Sequence, residues 1–282
     1  MGHQLKIAVV GAGAIGRVHI NVIRANPHCQ LVAVVDPSDA ALQLSKSLGI
    51  PHFQTLENML AQTRPDGIVL ATPNAMHVMQ ALQCLDAGVA VLIEKPIAHT
   101  VSEAQRLIDA IQANVGTDSA RVLIGHHRAH SPIMAKAKAV IEEGRLGRLV
   151  SVMGSAMFFK PDNYFTDAPW RTVQGGGPIL INLIHEIHNL RMLCGDIVAV
   201  QAMSSNAVRG FQVEDTAVIN LQFASGVLGT FLLSDTAASA KSWEQTSQEN
   251  KDYATYGDED CYVIAGDMGS LSVPTMRMKT YS

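Results

Sequence analysis

The sequence predicts an α/β protein in two parts: an N-terminal doubly wound parallel sheet, then a C-terminal α+β domain with an open, mainly antiparallel sheet. Three observations carry this expectation. Through the first 125 residues, short unbroken apolar runs alternate with helix-like stretches, as parallel strands buried on both faces do. Beyond residue 126 the strands lengthen and alternate polar with apolar residues, as strands with one wet face do. The length of 282 residues suits two domains of roughly 100–200 residues each. The expected domains are 1–125 and 126–282.

The first half reads in order as a strand (5–10), a glycine turn (11–16) and a helix (17–25). A strand (31–36) and a helix (39–48) follow, then a strand (67–71), a helix (75–86), a strand (89–93), a helix (101–113) and a strand (122–125). Right-handed crossovers between such strands produce a doubly wound sheet. In the second half a helix is expected over 133–143. Ile219, Leu221 and Phe223 then point one way and Asn220 and Gln222 the other. Ala224-Ser225-Gly226 is a turn, and 227–234 completes a hairpin. Residues 179–194 read as a helix, with Pro178 suited to its start. Residues 241–260 are polar and acidic, with Trp243, Tyr253 and Tyr256, and read as a long loop. The chain ends inside an apparent strand beginning near Arg277, so a C-terminal stretch is expected to be missing.

Composition narrows the function. Hydrophobic residues make up 48% and charged residues 16%, a core-rich balance. Lys and Arg total 21 against 25 Asp and Glu, a net charge of −4 without a basic block, which argues against a nucleic-acid partner. The longest apolar runs, 7–10 and 88–93, are strand-length, so no membrane span is expected. Met-Gly-His-Gln-Leu-Lys runs straight into the first strand, so no signal peptide is expected, and Lys6 stands where a myristoylation signal needs Ser or Thr. Cys29, Cys84, Cys194 and Cys261 are scattered, without metal spacing, which places the chain in a reducing cytoplasm.

Gly11-Ala12-Gly13-Ala14-Ile15-Gly16 is a G-x-G-x-x-G between a strand and a helix, and Asp36 lies 20 residues past Gly16. Gly11 permits the tight turn, Gly13 lets a pyrophosphate approach the backbone, and Gly16 lets the helix pack closely. This is the fingerprint of a Rossmann dinucleotide site. Asp36 accepts ribose hydroxyls and repels a 2′-phosphate, which favours NAD over NADP. A glycine-rich turn without ligand is the alternative.

Two further segments close strands on the side where such sheets bind ligands. In Ala71-Thr72-Pro73-Asn74, Thr72, Pro73 and Asn74 are candidates for the ribose or nicotinamide, and His77, one turn later, is a further cofactor-binding candidate. Asn74 equally suits a helix N-cap. Glu94-Lys95-Pro96 ends the strand 89–93 and adds Glu94 and Lys95 as cofactor-binding candidates; Pro96, a position open to a cis peptide, fixes the backbone so that Lys95 is aimed into the cleft. A partly desolvated lysine beside a cationic ring suits proton transfer from a hydroxyl. A surface ion pair is the alternative.

In the second half, Gly175-Gly176-Gly177-Pro178 leads into the helix 179–194, apolar nearly all round, on which Asn182, His185 and Asn189 recur as one polar stripe. Such a stripe needs partners. Asn182 is a candidate for a substrate hydroxyl, and His185 for its proton. A structural histidine is the alternative. Arg128, in His126-His127-Arg128 with His130, and Trp170-Arg171 are further substrate candidates. No metal is expected, because the histidines lack partners at ligand spacing. Trp243, Glu244 and Tyr253 are candidates for sugar stacking, an interface or a solvated loop.

These motifs, in this order, resemble the Gfo/Idh/MocA oxidoreductases over essentially the whole chain, with Glu94-Lys95-Pro96 the most specific element. The resemblance implies hydride transfer between NAD(P) and a sugar or polyol hydroxyl, with Lys95 and His185 at the reacting carbon. It also implies self-association as a homodimer or homotetramer through the C-terminal sheet. The family often has an Asp where this chain has Ile181 and an acidic residue where it has His188, so a strict Lys-Asp-His triad is not expected. The substrate class is a sugar, an inositol-like cyclic polyol or a sugar acid. A non-catalytic NAD-binding regulator of the same fold and a reductase of an imine or enal are the competing expectations.

Overall fold

A computed structural model describes residues 4–113, 122–251 and 253–281. The extreme termini, residues 1–3 and Ser282, lie outside the described residues. The chain divides into two compact units, Met1–Gly125 and His126–Ser282.

The first unit runs β1 (Leu5–Val10), α1 (Ala14–Ala25), β2 (Cys29–Val35), α2 (Asp39–Leu48), β3 (His52–Phe53), α3 (Leu56–Gln62), β4 (Gly67–Leu70), α4 (His77–Asp86), β5 (Ala90–Ile93), α5 (Val101–Ala113) and β6 (Val122–Ile124). Among the described residues its sheet has six strands, all parallel, in the order β3-β2-β1-β4-β5-β6. The order reverses between β1 and β4, the place where Rossmann sheets open their ligand crevice. The unbroken apolar runs have a simple cause. Ala8, Val10, Ile68, Leu70, Val91 and Ile93 pack on one face with α3, α4 and α5, while Val9, Val34 and Val69 pack on the other with α1 and α2. Each fully buried Val, Ile or Leu contributes roughly 1.5–3 kcal/mol of transfer free energy. Strand β3, two residues long, has no counterpart in the sequence reading because it is too short to carry a period.

The second unit runs α6 (Pro132–Glu142), β7 (Leu149–Met157), α7 (Asp162–Thr166), a π-helical turn (Ile179–Leu183), α8 (Ile184–Cys194), β8 (Ile197–Ser205), β9 (Thr216–Phe223), β10 (Leu228–Ser234), α9 (Trp243–Thr246), β11 (Tyr262–Gly266), β12 (Gly269–Val273) and β13 (Met278–Thr280). Seven strands form one sheet in the order β13-β12-β11-β7-β10-β9-β8. Every neighbouring pair is antiparallel except β7 with β10. Ala217, Ile219, Leu221 and Phe223 face a core completed by α6 and α8 through Met134, Ala137, Leu190 and Leu193. Val150, Met153, Met203, Val218 and Leu228 are exposed large apolar residues on strands β7 to β10 of this sheet.

Two local expectations need correction. The segment 241–260 is not a solvated loop throughout: it carries α9, whose Trp243 is buried in the core with Tyr262. Its polar neighbours hide this, because a lone aromatic has no periodicity. The expected helix 179–194 does not start as an α-helix, since its first five residues form a π turn.

Candidate active site

The three glycines of the turn differ in how closely they are packed. Gly11 has φ of 91°, and a Cβ there would lie 2.5 Å from the Ala71 carbonyl oxygen. A Cβ on Gly16 would lie 1.9 Å from the Gly11 carbonyl oxygen. Gly13 differs: its φ is −66°, and nothing lies within 4 Å of a Cβ placed on it. Space is therefore open at this one position, and α1 starts beside it with no side chain capping its amides. An uncapped helix start with approachable backbone is a ready anion site, so these residues fit a pyrophosphate. Ala12, Ala14 and Ile15 complete the turn, with Ala12 buried and Ile15 exposed.

Asp36 follows β2 and binds the same turn. Its Oδ2 accepts the Ala12 amide at 2.8 Å, and its Oδ1 accepts the Ser38 amide at 2.9 Å and the Ser38 hydroxyl at 2.5 Å. Partial burial opposes its charge, but the hydrogen bonds from Ser38 and Ala12 outweigh burial and hold its carboxyl below the ordinary range. Asp36 is thus an ionised acceptor on the turn.

Between the ends of β4 and β5 lies His77. This imidazole is 1% exposed, with Nδ1 2.8 Å from the Pro96 carbonyl oxygen and Nε2 2.9 Å from the Thr72 carbonyl oxygen. Both of its ring nitrogens face backbone carbonyls, so His77 sits between Thr72 and Pro96. The Thr72 hydroxyl donates to Gln80 Oε1 at 2.6 Å. Asn74 does not cap α4; it opens a 3-10 turn that follows Pro73. The Lys95-Pro96 peptide is cis. Glu94 is buried, with Oε1 2.7 Å from His19 Nε2, and its Oε2 accepts the Lys95 amide at 3.2 Å. Burial opposes ionisation of Glu94, but His19 and the Lys95 amide outweigh it and lower its pKa. His19 escaped the sequence reading, although it sits one turn beyond Gly16 on α1. Lys95 itself is half-buried.

In the second unit, the π turn and α8 carry Asn182, half-buried, and His185, 5% exposed. Ile181 turns into buried surroundings. The start of this segment is held by Glu214, whose Oε1 accepts the Ile179 amide at 2.8 Å. Beneath His185, Glu186 is fully buried and bonded to Arg128 and to the Tyr262 hydroxyl. Arg128 also binds Glu244 at 2.5 Å, and Asn189 donates to the Tyr262 oxygen at 3.1 Å. Burial opposes the charge on Arg128, but Glu186 and Glu244 outweigh it and raise its pKa; burial pushes Glu186 up against the pull of Arg128. The guanidinium of Arg128 is therefore committed to two carboxylates, and Asn189 of the polar stripe to Tyr262. No sequence signal links these groups, because Arg128 and Tyr262 lie 58 and 76 residues from Glu186.

Imidazoles surround His185. The His127 ring centroid is 4.8 Å away at 67°, and that of His126 is 6.1 Å away at 88°; His126 stacks on His188 at 4.5 Å and 5°. Arg171 lies over Tyr164 at 3.7 Å and donates to its carbonyl at 2.6 Å, while Trp170 is half-exposed. Tyr253 packs on Phe158. Among the described residues no group of three or more His, Cys, Asp or Glu is arranged to hold a metal, and no helix is long and apolar enough to cross a membrane.

The first unit has the sheet and glycine turn of a dinucleotide-binding domain, and the second adds a sheet domain of its own. Two family models match: an oxidoreductase family with an NAD-binding Rossmann fold over residues 5–117, and the Gfo/Idh/MocA C-terminal domain over residues 134–272. The chain belongs to the Gfo/Idh/MocA family. The rhizopine catabolism protein MocA of Rhizobium meliloti is 28% identical over 192 residues, 68% of this chain but only 58% of that protein. An inositol 2-dehydrogenase of Rhizobium meliloti is 24% identical over 275 residues, 97% of this chain and 76% of that protein. The WlbA dehydrogenase of Bordetella pertussis, solved with NADH and UDP-GlcNAcA, is 25% identical with a TM-score of 0.84, covering 99% of this chain and 82% of that one.

Proposed function

We propose that the protein is an NAD-dependent dehydrogenase acting on a secondary hydroxyl of a sugar, an inositol-like cyclic polyol or a sugar acid. One observation carries the cofactor choice: ionised Asp36 stands on the glycine turn, and a carboxylate there would accept ribose hydroxyls and repel a 2′-phosphate. Gly11 to Gly16 cradle the pyrophosphate, and Thr72, Pro73 and Asn74 take the nicotinamide side. His77, Glu94 and His19 support this side by fixing the loops. When bound, the nicotinamide accepts the hydride.

Lys95 and His185 are assigned the hydroxyl proton. Asn182 binds a hydroxyl without taking its proton. Arg171 and Trp170 are assigned to substrate, and Arg128 supports the base of α8. The relatives named for inositol and the WlbA dehydrogenase with its nucleotide-sugar acid support this substrate class. Four unpaired cysteines suit a reducing cytoplasm. The apolar sheet residues Met153, Met203, Val218 and Leu228 suit self-association as a dimer or tetramer.

The test is NAD reduction scanned over inositols, aldoses, sugar acids and cyclic hydroxy acids, with Lys95→Ala as control. Lys95→Ala is expected to lose NADH formation and keep NAD binding. Undiminished turnover in it would remove Lys95 from the chemistry. NAD binding with no turnover on the whole panel would favour a regulator.

A further inference from the structure

The imidazoles around His185 have no role in the function proposed so far. Their geometry restricts charge. His126 and His188 are stacked face to face at 4.5 Å and nearly parallel. Two imidazolium rings cannot share that contact cheaply, since like charges a few ångströms apart repel strongly away from water. The His127 ring meets His185 at 4.8 Å, and the edge-on His126 ring at 6.1 Å. His185 is almost fully buried, which also disfavours its charged form.

Several charged groups near these rings are committed to partners elsewhere. Glu186 is bonded to Arg128 and Tyr262, Glu244 to Arg128, and Arg191 to Asp196 at 2.5 Å. His130 lies on the solvent side and acts on His188. On the same segment as His185, Ile181 is buried and uncharged and His188 is an imidazole stacked on His126. Carboxylates there would favour an imidazolium at His185, whereas a further imidazole opposes it.

We infer that His126, His127 and His188 form one coupled unit with His185 that keeps His185 uncharged, as a proton acceptor, and passes its proton outward through exposed His127. This inference rests on the proposal that His185 serves the hydroxyl. The step balances: the hydroxyl proton goes to a His185 nitrogen, the hydride goes to NAD, and His185 releases its proton through His127 to water. The alcohol becomes a carbonyl, NAD becomes NADH, and one proton is released. The three histidines act through His185, so they are positioning residues. Burial, with Arg191 and His130, lowers the pKa of His188, in keeping with a neutral partner.

The test needs no substrate, so it stands apart from the substrate panel. The full chain, labelled with 15N-histidine, is titrated by NMR as wild type, as His126→Phe, which keeps a flat ring, and as His188→Asp. The His185 midpoint is expected to rise by roughly half a unit in His126→Phe and by about one unit or more in His188→Asp. Should either variant fail to fold, the wild-type curves decide: coupled, non-ideal titration of the four rings is expected. Unmoved midpoints, or four independent one-proton curves, would overturn the inference. A midpoint shift with no turnover on any substrate would keep the coupling and remove only the dehydrogenase reading.

Discussion

At Asp36, one carboxylate has two tasks: it ties down the Ala12 amide and, in the proposed function, binds the ribose. Asp36→Ala is therefore expected to weaken NAD binding by roughly tenfold or more, about 1.4 kcal/mol per factor of ten, and to narrow the gap between NAD and NADP. Paired dissociation constants for the two cofactors check this. Glu94 gives a prediction with a definite sign. Its folded pKa lies below the ordinary 4.5, so ionised Glu94 stabilises the fold above about pH 4.5, and this contribution fades as pH falls through the folded value. Glu94→Gln is expected to flatten the acid side of the stability profile measured by urea unfolding, and an equally steep acid loss would contradict it. Asp36 and Lys95 stand out in the sequence because the motifs that hold them are local. His19 with Glu94, and Arg128 with Glu186, do not, because only the folded chain brings distant positions together.

The glycine turn separates packing from binding at the scale of one element. Gly16→Ala drives a methyl into the Gly11 carbonyl and should cost about 3 kcal/mol or more in stability. Gly13→Ala, with a compatible φ and open space, should leave the melting temperature nearly unchanged while weakening NAD binding. If both variants lost stability alike, the assignment of Gly13 to the pyrophosphate would fail. On the other unit, Glu214→Ala leaves the Ile179 amide without its acceptor and should cost about 1 kcal/mol, read as a lower melting temperature. Buried parallel strands were legible as apolar runs. The π turn was not, because its residues share the composition of the α-helix that follows. Trp243 was misplaced because a polar segment gives no sign of the one side chain it buries.

Across the whole molecule, the division into alternating α/β and α+β halves was readable because the hydrophobic period changes near residue 126. Sheet order in the second half was not, since nothing local specifies that β7 runs parallel to β10. The outward apolar residues make a test of assembly: Met203 and Val218 are cross-strand partners, and Met203→Glu with Val218→Asp should lower the mass measured by light scattering if this face joins copies. An unchanged mass would place self-association elsewhere.

The position of β7 also fixes when the second unit can form. Its Ser151 waits for Leu228 on one side and its Gly154 for Tyr262 on the other, whereas β1 in the first unit finds β2 and β4 within the first 70 residues. During synthesis the Rossmann sheet can begin pairing early, while β7 emerges with both edges unpaired and stays so until β10 and β11 follow. Non-local pairing of this kind is slow and leaves open strand edges prone to association. A nascent chain stalled before Tyr262 should therefore carry a protease-resistant first unit and a protease-sensitive second one.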